Sequence, residues 1–86
     1  MSWELAYTKQ SRKDAKKIAK SGLKKEVKFL LELVAENPLK EPPPVKQLVG
    51  DLSEAYSRRI TFQHRFVYQI CYKEHVVKVL RMWGHY

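Results

Sequence analysis

The chain has 86 residues and carries 17 Lys and Arg against 9 Asp and Glu, for a formal net charge of +8. This length allows a single domain, residues 1–86, with a modest core, and this charge attracts polyanions, of which nucleic acid is the commonest partner of small basic domains. No apolar run approaches the roughly 20 residues of a membrane span, and the first residues lack the apolar region of a signal peptide, so we expect no membrane association and a cytoplasmic location.

The first quarter of the chain predicts a strand and a strongly basic helix. Residues 3–8 alternate between apolar and polar side chains, as a short strand does. Between residues 9 and 20, cations recur at intervals of three and one, which places them on one stripe of a helix. The stripe consists of Lys9, Arg12, Lys13, Lys16, Lys17 and Lys20. We expect Ala15, Ile18 and Ala19 to form the buried side of this helix.

A second helix and a set of strands are predicted for the rest of the chain. Residues 23–37 carry an apolar stripe at helical spacing, made of Val27, Leu30, Leu31 and Val34. The prolines between residues 38 and 44 then force an extended connection. Strands are predicted at residues 56–61, 63–72 and 76–83, with a turn at residues 73–75 and a short additional strand near residues 46–49. This order is typical of an α+β fold in which an N-terminal strand and two helices pack on an antiparallel sheet.

Three arginines interrupt the strand-forming residues between positions 57 and 70: Arg58, Arg59 and Arg65. A cation gains nothing from an apolar core, so these side chains are candidates for an exposed site. Strand alternation prevents all three from facing the same side unless a bulge turns one of them. Each could also be a solvated charge or a salt-bridge partner.

The sequence pattern lacks the ligands of a metal site. After residue 41 only three scattered carboxylates remain, and the histidines at positions 64, 75 and 85, with the single cysteine, match no zinc spacing. We therefore expect neither a metal ion nor another cofactor. This favours RNA as a substrate, because its own 2′-hydroxyl can act as the nucleophile once a base, phosphate-binding cations and an acid are supplied.

Three segments together resemble the Txe/YoeB family of toxin–antitoxin ribonucleases, within the RelE-like group: YSRRIT from residue 56, HRFVY from residue 64, and the final HY. The resemblance covers nearly the whole chain. It implies a microbial-RNase-like fold and a bacterial toxin that cuts mRNA in the ribosomal A site. It also implies a cognate antitoxin of Phd/YefM type, contact with operator DNA only through the antitoxin complex, and possible homodimers.

The resemblance assigns roles to several positions. Arg65 is implied to bind the scissile phosphate, and Arg59 to add positive charge. His85 is implied to be the general acid, and Tyr86 to line the site. By their charge, we also expect Arg58 and three lysines of the first helix to bind RNA. These lysines are Lys9, Lys13 and Lys16.

One position departs from the family pattern in a way that bears on chemistry. Counting back from Leu52, the glutamate proposed as the family's general base falls on Lys46. Lys46 is still a catalytic candidate, because it could accept the 2′-proton as a neutral amine or stay charged and stabilise the phosphate. Three functions stay open: a nuclease of reduced activity, a toxin-fold protein that only binds RNA, the ribosome or an antitoxin, and a corepressor that acts with its antitoxin.

Overall fold

Seven elements follow one another along the computed structural model, which describes residues 2–41, 44–48, 55–61 and 64–83. They are β1 (Glu4–Tyr7), α1 (Lys9–Ser21), α2 (Lys24–Glu36), β2 (Lys46–Gln47), β3 (Ala55–Arg59), β4 (Arg65–Cys71) and β5 (Val76–Arg81). Every predicted element is present, and each bound lies within two residues of its prediction. The described part of the chain has no helix that is both long and apolar enough to cross a membrane.

Helix α1 begins and ends at residues with the expected capping chemistry. Thr8 is the N-cap residue, and its hydroxyl accepts a hydrogen bond from the Ser11 N–H at 3.0 Å. Gly22 follows the helix with φ +82°, a left-handed conformation that glycine adopts without steric strain. The chain can therefore turn at once into α2.

The buried side of α1 is partly polar, and here the prediction was wrong in part. Ile18 is buried as expected, but Ala15 and Ala19 are exposed, whereas Ser11 and Asp14 are fully buried. The Ser11 hydroxyl donates to a backbone carbonyl of the preceding turn at 2.9 Å, and the Asp14 carboxylate accepts hydrogen bonds from the end of β5. The helix is thus oriented by polar partners, which an apolar stripe does not reveal.

The five strands form one mixed sheet in the order β1-β5-β4-β3-β2. Neighbouring strands from β2 to β5 are antiparallel, whereas β1 pairs with β5 in parallel. The predicted α+β fold is confirmed, with a mixed sheet in place of a wholly antiparallel one. A hairpin forces its two strands to be antiparallel, but β1 leads into a helix, so no local signal sets its direction.

The hydrophobic core lies between the helices and one face of the sheet. β4 contributes Phe66, Tyr68 and Ile70, which alternate along the strand and are fully buried. The other members of the core are Ile18, Val27, Leu30, Leu33, Val34, Val77, Val79 and Met82. Because the helices cover this face, the intervening residues of β3 and β4 point to the opposite face, which the helices leave open. On this open face Arg59 is exposed and Arg65 is half-buried, whereas Ala55, Ser57 and Val67 are buried.

Candidate functional site

A groove of about 320 Å³ lies on the open face of the sheet. The register of β2, β3 and β4 brings its lining residues together. Lys46 of β2 is opposite Ser57 of β3. Arg59 of β3 is opposite Arg65 of β4. Directly opposed residues of antiparallel strands project to the same face, and so do residues two apart on one strand. The described lining residues are Pro44, Val45, Lys46, Ser57, Arg59 and Arg65.

The groove is cationic. Lys46 and Arg59 are exposed and Arg65 is half-buried, and none of the described lining residues is acidic. Guanidinium groups match phosphate oxygens in geometry, and a lysine adds a mobile point charge. The sheet thus brings together three of the predicted site residues from three separate segments. In the described residues, no three histidine, cysteine or carboxylate side chains are grouped so as to hold a metal ion.

Arg58 lies on the other side of β3, and the expectation that it binds RNA was wrong. It is opposite Phe66, so it points into the core and is fully buried. Its Nε donates to the Tyr68 hydroxyl at 3.1 Å, and its Nη2 donates to the Pro38 carbonyl at 3.0 Å. Arg58 therefore ties the sheet to the loop after α2.

The Tyr68 hydroxyl completes this buried link by donating to the same Pro38 carbonyl. Burial raises the pKa of Tyr68, although the hydrogen bond and the charge of Arg58 lower it in part. The phenol therefore keeps its proton and remains a donor. Since Pro38 stands at the start of the proline-bearing connection, the link fixes the point where that connection begins.

The lysines of α1 lie apart from the groove. Lys9, Lys13 and Lys16 are all exposed, and none of them lines it. Together with the other cations of the helix they form a second positive surface. Their predicted contact with RNA stays a prediction.

The end of β5 lies beside the start of β4. The Trp83 ring stacks on the His64 ring with 4.0 Å between centroids and 24° between planes. His64 directly precedes Arg65, so the last described residue of the chain lies next to the groove's strand. His85 and Tyr86 lie outside the described residues, and their predicted roles stay predictions.

A buried carboxylate, which sequence reasoning missed, fixes the end of β5. Asp14 Oδ2 accepts hydrogen bonds from Arg81 Nε at 2.9 Å and from the Met82 N–H at 3.0 Å, and Oδ1 accepts one from Gln10 at 3.0 Å. Burial by itself raises the pKa of Asp14. These hydrogen bonds and the charge of Arg81 together lower the pKa by more than burial raises it, so the pKa lies below its usual value. Asp14 is the only acid in α1, and this isolation among cations was the available signal.

Ser57 was also missed. Its alternation with Arg59 along β3 was the signal that could have placed it on the groove's face.

The described residues form a small α+β protein with two helices and a cationic groove on the open face of its sheet. Such a groove is suited to binding phosphate groups.

Solved structures with the same fold include a toxin described as YoeB/ParE from Agrobacterium tumefaciens. It is similar to this chain with TM-score 0.88 and 26% identity over 96% of this chain and 99% of that one. The YoeB dimer from Staphylococcus aureus is similar with TM-score 0.84 and 25% identity over the whole of both chains. The YoeB–YefM complex from the same organism gives TM-score 0.81 and 25% identity, again over both whole chains.

The family assignment comes from the sequence. The family model of the YoeB-like toxin of bacterial type II toxin-antitoxin systems matches residues 3–86. The chain therefore belongs to this toxin family, as its motifs predicted. No curated protein sequence gives a significant match.

Proposed function

We propose that this toxin is a ribosome-dependent endoribonuclease that cleaves mRNA in the A site and so arrests translation. The observation that carries the proposal is the groove in which Lys46, Arg59 and Arg65 converge on the open face of the sheet. Three cations around one cleft favour a phosphate whose negative charge grows during reaction. Membership of the YoeB-like family supports the same conclusion.

The proposed reaction is transesterification within the RNA. The 2′-oxygen attacks the adjacent phosphorus, the bond from phosphorus to the 5′-oxygen breaks, and a 2′,3′-cyclic phosphate forms. Arg65 and Arg59 stabilise the charge on the non-bridging oxygens, and His85 gives a proton to the departing 5′-oxygen. Tyr86 lines the site. The RNA supplies its own nucleophile, so the reaction uses no metal or other cofactor.

Lys46 takes the place of a carboxylate in this scheme. It either accepts the 2′-proton as the general base, or stabilises the phosphate while water removes the proton. Either role requires Lys46 to reach the phosphate bound by Arg65. Both side chains line the same groove, which supports this requirement.

The positive surface of α1 provides a second contact with the ribosome or mRNA. Lys9, Lys13 and Lys16 attract RNA phosphates without reading sequence, since a lysine is a flexible point charge. These contacts would speed docking and weaken as salt concentration rises.

The proposed partners follow from the relatives. The YoeB–YefM complex and the YoeB dimer support a YefM-type antitoxin and a homodimer for this protein. An acidic, partly disordered antitoxin segment complements the charge of +8. Operator DNA is contacted only through the antitoxin complex. Because mRNA and ribosomes are its targets, we place the protein in the bacterial cytoplasm.

A second candidate function is binding without cleavage. The observation that favours it is Lys46 itself, which is exposed in the groove where the family pattern has a glutamate. A toxin without its base would still occupy the ribosome, bind its antitoxin or act with it as a corepressor.

Arg65→Ala tests the nuclease function. Ribosome-dependent mRNA cleavage should fall about 100- to 1,000-fold, because a main source of transition-state stabilisation is lost. Stability should change by less than about 1 kcal/mol. Lys73→Ala is the control, since it removes the same charge from the exposed turn between β4 and β5. Cleavage by Arg65→Ala at the wild-type rate would show that the groove is not the active site.

A further inference from the structure

The hydroxyl of Ser57 is a buried polar group without a hydrogen-bond partner. Ser57 is 2% exposed. Its Oγ is the one buried side-chain nitrogen or oxygen in residues 2–41, 44–48, 55–61 and 64–83 that has no such partner. An unpaired buried hydroxyl destabilises the folded state, because water satisfies it in the unfolded chain. Folding therefore does not account for a serine here.

Ser57 lies among the three cations of the groove, which it also lines. Lys46 is directly opposite on β2. Arg59 lies two residues after Ser57 in β3, so it projects to the same face, and Arg65 is opposite Arg59 on β4. An anion held by all three positive side chains would therefore lie over the Ser57 hydroxyl.

We propose that Ser57 Oγ donates a hydrogen bond to a non-bridging oxygen of the RNA phosphate at the cleavage site. The assignment rests on the function proposed above. It adds one neutral hydrogen-bond donor to the three cations that line the groove. The hydroxyl that has no partner in the free protein gains one when the phosphate is bound. Lys46 and Arg59 are exposed, and long cationic side chains such as these can change rotamer when a phosphate enters the groove.

A short hydroxyl on a strand contributes what the long cations cannot. Ser57 is the middle residue of β3, which pairs with β2 on one side and β4 on the other. The backbone of Ser57 is therefore held by the sheet, and its short side chain keeps Oγ close to it, whereas lysine and arginine attract a phosphate over a wide range of positions. Ser57 orients the phosphate for in-line attack by the 2′-oxygen, and its hydrogen bond strengthens as negative charge gathers.

Ser57→Ala tests this assignment, because stability and activity should respond differently. Cleavage should fall about 10- to 100-fold, the effect of losing one hydrogen bond to a charged group. The Tm should stay the same or rise, because the unpaired hydroxyl is removed. Ser21→Ala is the matched control, since it removes a hydroxyl from the last residue of α1, outside the groove. Wild-type cleavage by Ser57→Ala, or a clear loss of stability, would overturn the assignment.

Binding of inorganic phosphate gives a readout that does not depend on cleavage. In NMR titrations, Ser57→Ala should bind phosphate about tenfold more weakly than wild type, and Ser21→Ala should bind it equally well. If wild type binds phosphate through Ser57 but cuts no mRNA, the nuclease function fails and the Ser57 assignment stands. Equal affinity of wild type and Ser57→Ala, or no binding by wild type, would overturn the assignment.

Discussion

Asp14 and Arg81 stand 67 positions apart in the chain, yet their side chains form an ion pair that joins α1 to the last residue of β5. The Asp14 carboxylate is fully buried, whereas 32% of the Arg81 side chain is exposed. The same carboxylate binds the Met82 N–H, so it sets the path of the chain as it leaves the sheet. Trp83, which stacks on His64 beside the groove, follows directly.

Replacing Asp14 by Asn should destabilise the fold and change how stability depends on pH. At pH 7 we expect a loss of about 1–3 kcal/mol in the free energy of unfolding, because the carboxylate's charge and part of its hydrogen bonding disappear. The pKa of Asp14 is lower in the folded state than in the unfolded chain. The ionised carboxylate therefore contributes its full stabilisation at pH values above the unfolded pKa of about 3.9. This stabilisation is lost as the pH falls through the folded pKa.

The difference between wild type and Asp14→Asn should therefore shrink in acid. Urea unfolding at a series of pH values from 7 to below 4 measures it. Glu36→Gln, which removes an exposed carboxylate at the end of α2, is the control and should follow wild type throughout. A constant difference between wild type and Asp14→Asn across this range would contradict a stabilising ionised carboxylate.

The helices and strands could be predicted because they depend on local periodicity, whereas the assignment of Lys46, Arg59 and Arg65 to one site came from the family resemblance. A period of 3.6 defines the helices, and a period of two places Arg59 on the face opposite Arg58. The same rule could not tell which of these faces the helices cover. Packing decides this, because Phe66 and Tyr68 are buried against the helices. Arg58, which is opposite Phe66, is therefore buried on the same face.

The partners of Asp14 were beyond prediction for a different reason, although its isolation among cations marked it as unusual. A hydrogen bond between residues 67 positions apart leaves no repeating pattern in the sequence. The parallel pairing of β1 with β5 is of the same kind, since no hairpin joins the two strands.

Arg58 and Arg59 are neighbours in the sequence and should behave in opposite ways when replaced by alanine. Arg58→Ala should lower the free energy of unfolding by more than about 2 kcal/mol, because it leaves a cavity and removes hydrogen bonds to Tyr68 and Pro38. Arg59→Ala should change stability by less than about 0.5 kcal/mol, since its side chain is exposed. Its effect should be weaker cleavage and a smaller dependence on salt.

Urea unfolding and a cleavage assay on both variants separate the two roles. Each variant serves as the other's control, because both remove one guanidinium from the same strand. Similar losses of stability in the two variants would contradict the opposite orientation of the side chains.

Deleting residues 84–86 should abolish cleavage while leaving the fold intact. His85 is the proposed acid, and loss of a general acid lowers a rate about 100- to 10,000-fold. Stability should hold, because among the described residues Arg81, Met82 and Trp83 make contacts that fix the end of β5. His85→Ala separates the acid from the rest of the segment. Unimpaired cleavage by the truncated protein, at an unchanged Tm, would remove His85 and Tyr86 from the mechanism.

Lys46 decides between the two candidate functions, and two substitutions test it. If Lys46 is part of the mechanism, Lys46→Ala and Lys46→Glu should both cleave more slowly than wild type, because each removes the amine that takes the proton or stabilises the phosphate. If the groove merely lacks a base, Lys46→Glu should cleave faster than wild type, because a carboxylate opposite Ser57 would supply one. Lys46 is exposed, so neither change should affect stability by more than about 0.5 kcal/mol.

The measurement is ribosome-dependent mRNA cleavage by the three proteins side by side, with Lys73→Ala as the control for lost charge. We expect detectable cleavage by wild type and slower cleavage by Lys46→Ala. Equal rates for these two would exclude Lys46 from the mechanism and leave Arg59 and Arg65 as the groove's effective cations. No cleavage by wild type together with activity in Lys46→Glu would identify a toxin that binds its target but has lost its base.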